Sequence, residues 1–338
     1  MQYVVITFLC LSIVLYFLLG GADFGAGIIE MFTSKKNRGK TRSISYHAIG
    51  PIWEANHMWL VIAIVILFVG FPTIYATMST CLHIPLALML CGIIARGTAF
   101  VFRSYDAVKD NMQWWYNRIF RYSSFITPFF LGIIAASVVS GKVDDTAGNF
   151  LDAYVFGWLN WFSVAVGCFT VTLSGYLAAI YLIGEANDED GRNRFINKAT
   201  WMNIAAIFFG AVVFIAAWAD GVPLPKWVFG HVPGIAAVIA AFASLALLWW
   251  CVKKRYDGFI RILAGFQIVM ILFCVGYSRF PYFIALKSGR DISLLQSLAT
   301  EGTIQMLGWA LLLGSLIILP ALGYLLYSFQ KKANTIEV

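Results

Sequence analysis

Nine stretches of this chain run for about 20 residues or more with almost no charged side chain inside them, at roughly 3–32, 48–71, 74–101, 120–140, 155–184, 199–219, 227–252, 260–280 and 304–329. A helix needs about 20 apolar residues to cross the hydrocarbon layer of a bilayer, so each stretch is long enough for one crossing. Backbone polar groups find no water there, which leaves only helices or closed barrels. The stretches lack the two-residue alternation of barrel strands. The chain is therefore expected to be an all-α polytopic membrane protein of about nine transmembrane helices, forming one transmembrane domain over 1–338. Of its 338 residues, 60% are hydrophobic and 12% charged, about half the charged share of a soluble domain, and a water-soluble globule is excluded.

The formal charge of +7 sits in short clusters between the apolar stretches, so topology explains it better than a nucleic-acid partner. One set of connections and the tail carry Lys35, Lys36, Arg38, Lys40, Arg42, Arg103, Lys109, Arg118, Arg121, Arg192, Arg194, Lys198, Lys253, Lys254, Arg255, Arg261, Lys331 and Lys332. The alternate set carries Lys142, Lys226, Arg279, Lys287 and Arg290, and Arg96 lies inside a stretch. This asymmetry puts the N-terminus outside and the C-terminus in the cytoplasm. It also supports the helix count, since one span more or fewer would move later clusters to the wrong side. The shortest connection, Phe71-Pro72-Thr73, leaves a single broken helix as a competing reading. No internal repeat or soluble domain is visible. Met1 to Ala22 carries neither charge nor an Ala-x-Ala site, so the first helix is expected to stay in the mature protein. The six cysteines all fall in apolar stretches without metal-like spacing and read as small core residues.

Of 17 acidic residues, only Asp23, Glu30 and Glu54 lie inside the stretches. A carboxylate in a span costs about 2.5–3.5 kcal/mol on insertion scales, which makes each a functional candidate. With the orientation above, all three lie toward the inner side. Ser12, Tyr16, Gly20, Asp23, Gly27 and Glu30 follow one another at steps of three or four, a polar stripe along the first helix. Glu54 and His57 share a face of the second helix, and Arg96 on the third can reach the inner half as counter-charge. Asp23 and Glu54 are expected to turn into the protein and be joined by water, giving a protonatable ladder of Asp23, Glu54, Glu30, His57 and Arg96. Plainer readings stand beside it: an interfacial Glu30, a packing His57, and a purely structural ion pair with Arg96.

The run Gly21-Ala22-Asp23-Phe24-Gly25-Ala26-Gly27 is not a dinucleotide loop, because no strand precedes it. Gly21 and Gly25 instead make a face for close helix contact. His47, His57, His83 and His231 offer no obvious facing pair, so heme held by this chain is not expected, and no metal site is foreseen.

Two motifs, Gly21 to Gly27 and Ile49-Gly50-Pro51-Ile52-Trp53-Glu54-Ala55-Asn56-His57-Met58-Trp59-Leu60, resemble subunit II of the cytochrome bd-type quinol oxidases. Phe71-Pro72 with Tyr75-Ala76, the run Arg96 to Arg103, Phe280-Pro281-Tyr282, and Pro320 with Tyr324 extend the likeness along the whole chain. The resemblance implies two four-helix bundles plus one peripheral helix. It also implies membership of a respiratory oxidase of a bacterial or archaeal cytoplasmic membrane, which takes electrons from quinol and reduces dioxygen to water. By the same resemblance the heme-bearing subunit I is the partner and holds heme b and heme d, with or without a small accessory subunit, among quinol and lipid. Asp23 and Glu54 match positions implied to draw protons from the cytoplasm, and Trp59 matches a tryptophan beside a dioxygen passage. The chain departs from the family pattern at Gly20 and Val101, where an acid is common, and at Glu54, more usually Asp. The rival readings are a proton-coupled secondary transporter and a purely scaffolding subunit.

Overall fold

The computed structural model describes residues 1–49, 53–105, 112–186 and 188–335, with the side chains at 49, 104–105 and 325–335 outside the description. Gly50, Pro51 and Ile52 of the second motif, Lys109, and the Lys331 and Lys332 side chains therefore lie outside the described residues. Among those described, nine helical segments are long and apolar enough to cross a membrane, in keeping with the all-α expectation.

The first crossing is α1 (Gln2–Leu15), a π-helical turn over Tyr16–Gly20, and α2 (Gly21–Met31). A polar helix, α3 (Arg38–Ile49), leads toward α4 (Trp53–Gly70). The third apolar stretch is divided: α5 (Pro72–Cys81) ends at Leu82, and α6 (His83–Tyr105) makes the crossing. Phe71 breaks the chain between α4 and α5, with Pro72 at the first helical position, where its missing N–H costs nothing. The chain continues through α7 (Met112–Ser140), the short α8 (Phe150–Tyr154) and α9 (Trp161–Ile183). Next come α10 (Glu189–Ala219), α11 (Leu224–Phe229), α12 (Val232–Lys254) and α13 (Asp257–Arg279). A two-stranded hairpin, β1 (Tyr282–Ile284) with β2 (Ile292–Ser293), precedes α14 (Glu301–Thr335). The helix α10 starts ten residues before its apolar stretch because Asp188 caps it, its carboxylate accepting from the Gly191 N–H.

The spans fall into two groups of four. In the first, α1 packs on α4, α6 on α7, and α2 on α7; in the second, α9 packs on α10 and α13, and α12 on α13. The contacts of α2 and α7 with α9 join the groups, while α14 rests on α1 and α4 and leaves most of its surface open. The central elements are α2 and α9. Every residue from Gly21 to Glu30 is buried.

Close approach makes this possible. A Cβ on Gly25 would run into the Ser174 carbonyl and the Ala178 side chain of α9, and one on Gly132 of α7 would run into Thr170 and Gly167. Gly21 also faces α9, at Ser174 and Leu177, so the small face anticipated at Gly21 and Gly25 is the α2–α9 seam.

At the end of the bundle opposite the basic α3, the 141–160 and 281–300 connections are tied together. Lys287 pairs with Asp144 at 3.1 Å, Arg290 with Asp145 at 3.6 Å, and Arg279 with Asp291 at 3.0 Å. The hydrogen bond from Lys287 holds the Asp144 carboxyl below the usual carboxylate range. Three of the five basic residues on this side are thus neutralised locally.

Because a side chain on Gly25 would meet the backbone of α9, which cannot yield, Gly25→Val should lower the stability of the purified protein by about 1–3 kcal/mol. Its thermal midpoint in detergent, against wild type, measures this.

Candidate functional site

The site is built on α2, which carries two acids seven residues apart. Asp23 is 1% exposed, and both its oxygens are taken by Arg96 of α6: Nη1 donates to Oδ2 at 2.6 Å and Nη2 to Oδ1 at 2.7 Å. Arg96, also 1% exposed, donates further from Nη2 to the Asp23 carbonyl at 2.8 Å and from Nε to the Ser124 hydroxyl of α7 at 3.1 Å. Ser124 passes its own hydrogen to the Phe120 carbonyl, so the hydroxyl is free to accept. The rings of Phe24 and Phe120 lie over the guanidinium, 5.2 and 4.9 Å from Cζ to centroid. A planar five-donor fork suits this position, which a lysine could not fill.

Glu30 closes the inner end. It is 1% exposed, its Oε2 accepting from Arg103 of α6 at 2.8 Å and its Oε1 from Arg42 of α3 at 3.1 and 3.3 Å. Arg103 Cζ lies 3.8 Å from the centroid of the Phe120 ring, so this one ring serves two guanidiniums. Lys198 of α10 caps the end of α2, donating to the Ile29 carbonyl at 3.1 Å and the Thr33 hydroxyl at 2.6 Å. These contacts enclose the carboxylate, because α3 folds back and brings Arg42 over it.

On α4 the residues Asn56, Trp59, Ala63, Ile66 and Gly70 form the buried stripe. Each helical residue turns about 100°, so burying Asn56 sends Glu54, two positions earlier, to the opposite side. Glu54 is exposed on the surface of this chain and makes no ion pair with a described residue. The expectation that Glu54 turns into the protein beside Asp23 is therefore corrected. His57, one turn further on, is half-buried, and its Nε2 stands 3.8 Å from Asp23 Oδ2, just outside hydrogen-bond range. Trp59 is 5% exposed and packs with Tyr16 and Phe24.

The structure thus brings Asp23, Arg96 and His57 together, sets Glu54 one turn from His57 at the surface, and gives Glu30 a separate pair of arginines. Sequence reasoning missed Ser124 and Phe120, whose residue types are ordinary in any span. It also missed that Arg42 and Arg103 share Glu30, since one belongs to the polar α3. The polar stripe of the first helix is buried throughout, with a π-helical turn inside it. Gly20 leaves room there for the Tyr16 ring, whose Cε2 would lie 3.0 Å from a Cβ at that position.

Among the described residues, no three His, Cys, Asp or Glu side chains gather as a metal site. The Nδ1 atoms of His47 and His83 bond to carbonyls of Ser43 and Thr80 nearby in the chain, both at 2.8 Å.

The family model for cytochrome bd terminal oxidase subunit II matches residues 1–329. A Bacillus subtilis protein described as cytochrome bd ubiquinol oxidase subunit 2 is 26% identical over 325 residues, covering 94% of this chain and 93% of its own length. The Escherichia coli (strain K12) cytochrome bd-I ubiquinol oxidase subunit 2 is 24% identical, covering 86% of this chain and 83% of its own length. Among solved structures, a chain of the bd oxidase from Geobacillus thermodenitrificans superposes with a TM-score of 0.74 at 20% identity, covering 97% of this chain and 98% of that one. It shares the fold.

Removing one partner of a buried pair strands the other charge. Arg96→Met should cost about 3–5 kcal/mol, and adding Asp23→Asn to it should restore most of the loss. Thermal midpoints of the two variants and wild type, under one detergent, give the comparison.

Proposed function

Because the chain belongs to the cytochrome bd terminal oxidase subunit II family, we propose that it pairs with a heme-bearing subunit I and supplies protons to it from the cytoplasmic side. The complex is a quinol oxidase, and reduction of dioxygen to water consumes protons as well as electrons. Heme b and heme d, held by subunit I, supply the electron transfer and the dioxygen chemistry. This chain then holds no heme ligand. Its site is the bacterial or archaeal cytoplasmic membrane, among lipid and quinol, with its N-terminus outside and its C-terminus inside, and with or without a small accessory subunit. The crowding of lysines and arginines at the α3 end of the bundle supports that orientation.

The single observation behind the proton role is the buried Asp23 with His57 Nε2 at 3.8 Å. Arg96 supplies the counter-charge that lets an anion exist in this low-dielectric place. Glu54, open at the surface, collects a proton; His57, one turn inward on the same face, accepts it; and Asp23 is the buried end. A small rotation of the imidazole brings its ring nitrogen to the carboxylate. Glu30, with both oxygens held by guanidiniums, fixes the field at the entrance to this route. Trp59, packed against Tyr16 and Phe24, is the wall we assign to a dioxygen passage.

A scaffolding role is the second reading, favoured by the Arg96 guanidinium alone binding groups on α2 and α7. The two part company on turnover measured against heme content in variants of Glu54 and Asp23.

Glu54→Gln keeps shape and touches no described ionic partner, and should slow quinol-driven oxygen consumption by about tenfold or more with heme content unchanged. Asp23→Asn keeps an oxygen for Arg96 but leaves its charge unpaired, so it should slow turnover at least as much and also lower the thermal midpoint. Normal turnover in both, with wild-type heme spectra, leaves the scaffold alone; loss of heme in Asp23→Asn points to assembly.

A further inference from the structure

We propose that the cavity at the end of the bundle opposite α3, lined by Lys142, Asp152, Trp161, Asp220 and Lys287, holds the headgroup of a phosphatidylethanolamine-type lipid. None of these residues belongs to the Asp23 or Glu30 sites, so the inference stands apart from the proton role.

The cavity has a volume of about 630 Å³, within the range of sites that take a small molecule. Its walls come from the ends of three spans and from two connections. Lys142 follows α7, Trp161 opens α9, and Asp220 follows α10. Asp152 lies on α8, and Lys287 in the 281–300 connection. The cavity therefore sits where spans leave the hydrocarbon, which is headgroup level. The side chains around it suit that depth: Trp161 is 76% exposed, Trp218 beside Asp220 is 82% exposed, and Phe156 and Leu159 on the rim are exposed as well.

The charges in the cavity are left open. Lys287 is spent on Asp144, but Lys142, Asp152 and Asp220 are half-buried and form no ion pair with a described residue. Asp220 Oδ2 accepts from the Phe162 N–H at 2.7 Å, which fixes this carboxylate in the wall, and Asp152 meets the Asn149 side chain only at 3.5 Å. A lysine and two carboxylates around one space fit a ligand that carries both charges in the opposite sense. In an ethanolamine phospholipid the phosphodiester answers Lys142. The primary ammonium, with three N–H donors, answers Asp152 and the second oxygen of Asp220. The acyl chains leave along Phe156, Leu159 and Trp161 toward the bilayer. A choline headgroup has no N–H to donate, and phosphatidylglycerol has no cation, so neither meets the two acids.

The test uses the purified complex, stripped of lipid in detergent and titrated separately with dioleoylphosphatidylethanolamine, dioleoylphosphatidylcholine and dioleoylphosphatidylglycerol, with bound lipid counted by native mass spectrometry. One ethanolamine lipid should be held about tenfold more tightly than either of the others. Lys142→Gln and Asp152→Asn should each weaken it about tenfold, whereas Lys142→Arg should retain it. Quinol-driven turnover and heme content should stay at wild-type values in all three variants. Soluble phosphoethanolamine, which lacks the chains, should not displace the lipid at equal concentration. Equal binding of the three lipids, unchanged binding in Lys142→Gln and Asp152→Asn, displacement by the soluble headgroup, or a side chain of another subunit filling the cavity in a map of the complex each overturns the proposal.

Discussion

The arginine–carboxylate pair between α6 and α2 governs the arrangement of this protein. Either group alone inside an apolar bundle would be expelled, neutralised or hydrated. Together, with both carboxylate oxygens and one carbonyl engaged by Arg96 and the Nε satisfied by Ser124, they form a closed polar unit that three helices must meet to complete. That requirement specifies the relative rotation of α2, α6 and α7 more sharply than apolar packing could, since lipid-like side chains accept many rotations at similar energy.

The rest of the inner end follows from the same economy. Glu30 draws Arg103 from α6 and Arg42 from α3, which pulls a polar helix over the mouth of the bundle. Lys198 then secures the open carbonyls at the end of α2. Phe120 receives the faces of two guanidiniums, a contact that gains strength where water is scarce. A helix that carries two acids is in this way the best enclosed element of the first group, with glycines where α9 must come near.

The proposed proton role rests on what this enclosure leaves unfinished. The Asp23 unit is saturated with hydrogen bonds, yet next to it stand a histidine just out of bonding range and two aromatic side chains whose polar atoms meet no protein group. The polar groups of this region are thus satisfied on the Arg96 side and unsatisfied on the other. The surface position of Glu54, one turn from His57, gives that region an outer end.

The run of apolar stretches was enough to point to an all-α membrane protein and to the nine helices, among the described residues, that are long and apolar enough to cross, because hydrocarbon forbids unpaired backbone and a helix has a set rise per residue. The two motifs were enough to point to the family, and the rarity of charge within spans singled out Asp23, Glu30, Glu54 and Arg96. Periodicity could not say which way Glu54 faces, since that depends on which stripe of α4 is chosen for burial by its neighbours. Nor could it show that Arg96 serves Asp23 while Arg42 and Arg103 serve Glu30, or that Ser124 and Phe120 complete the site. Those pairings join residues from 12 to 73 positions apart, and only the packing of helices brings such groups within bonding distance.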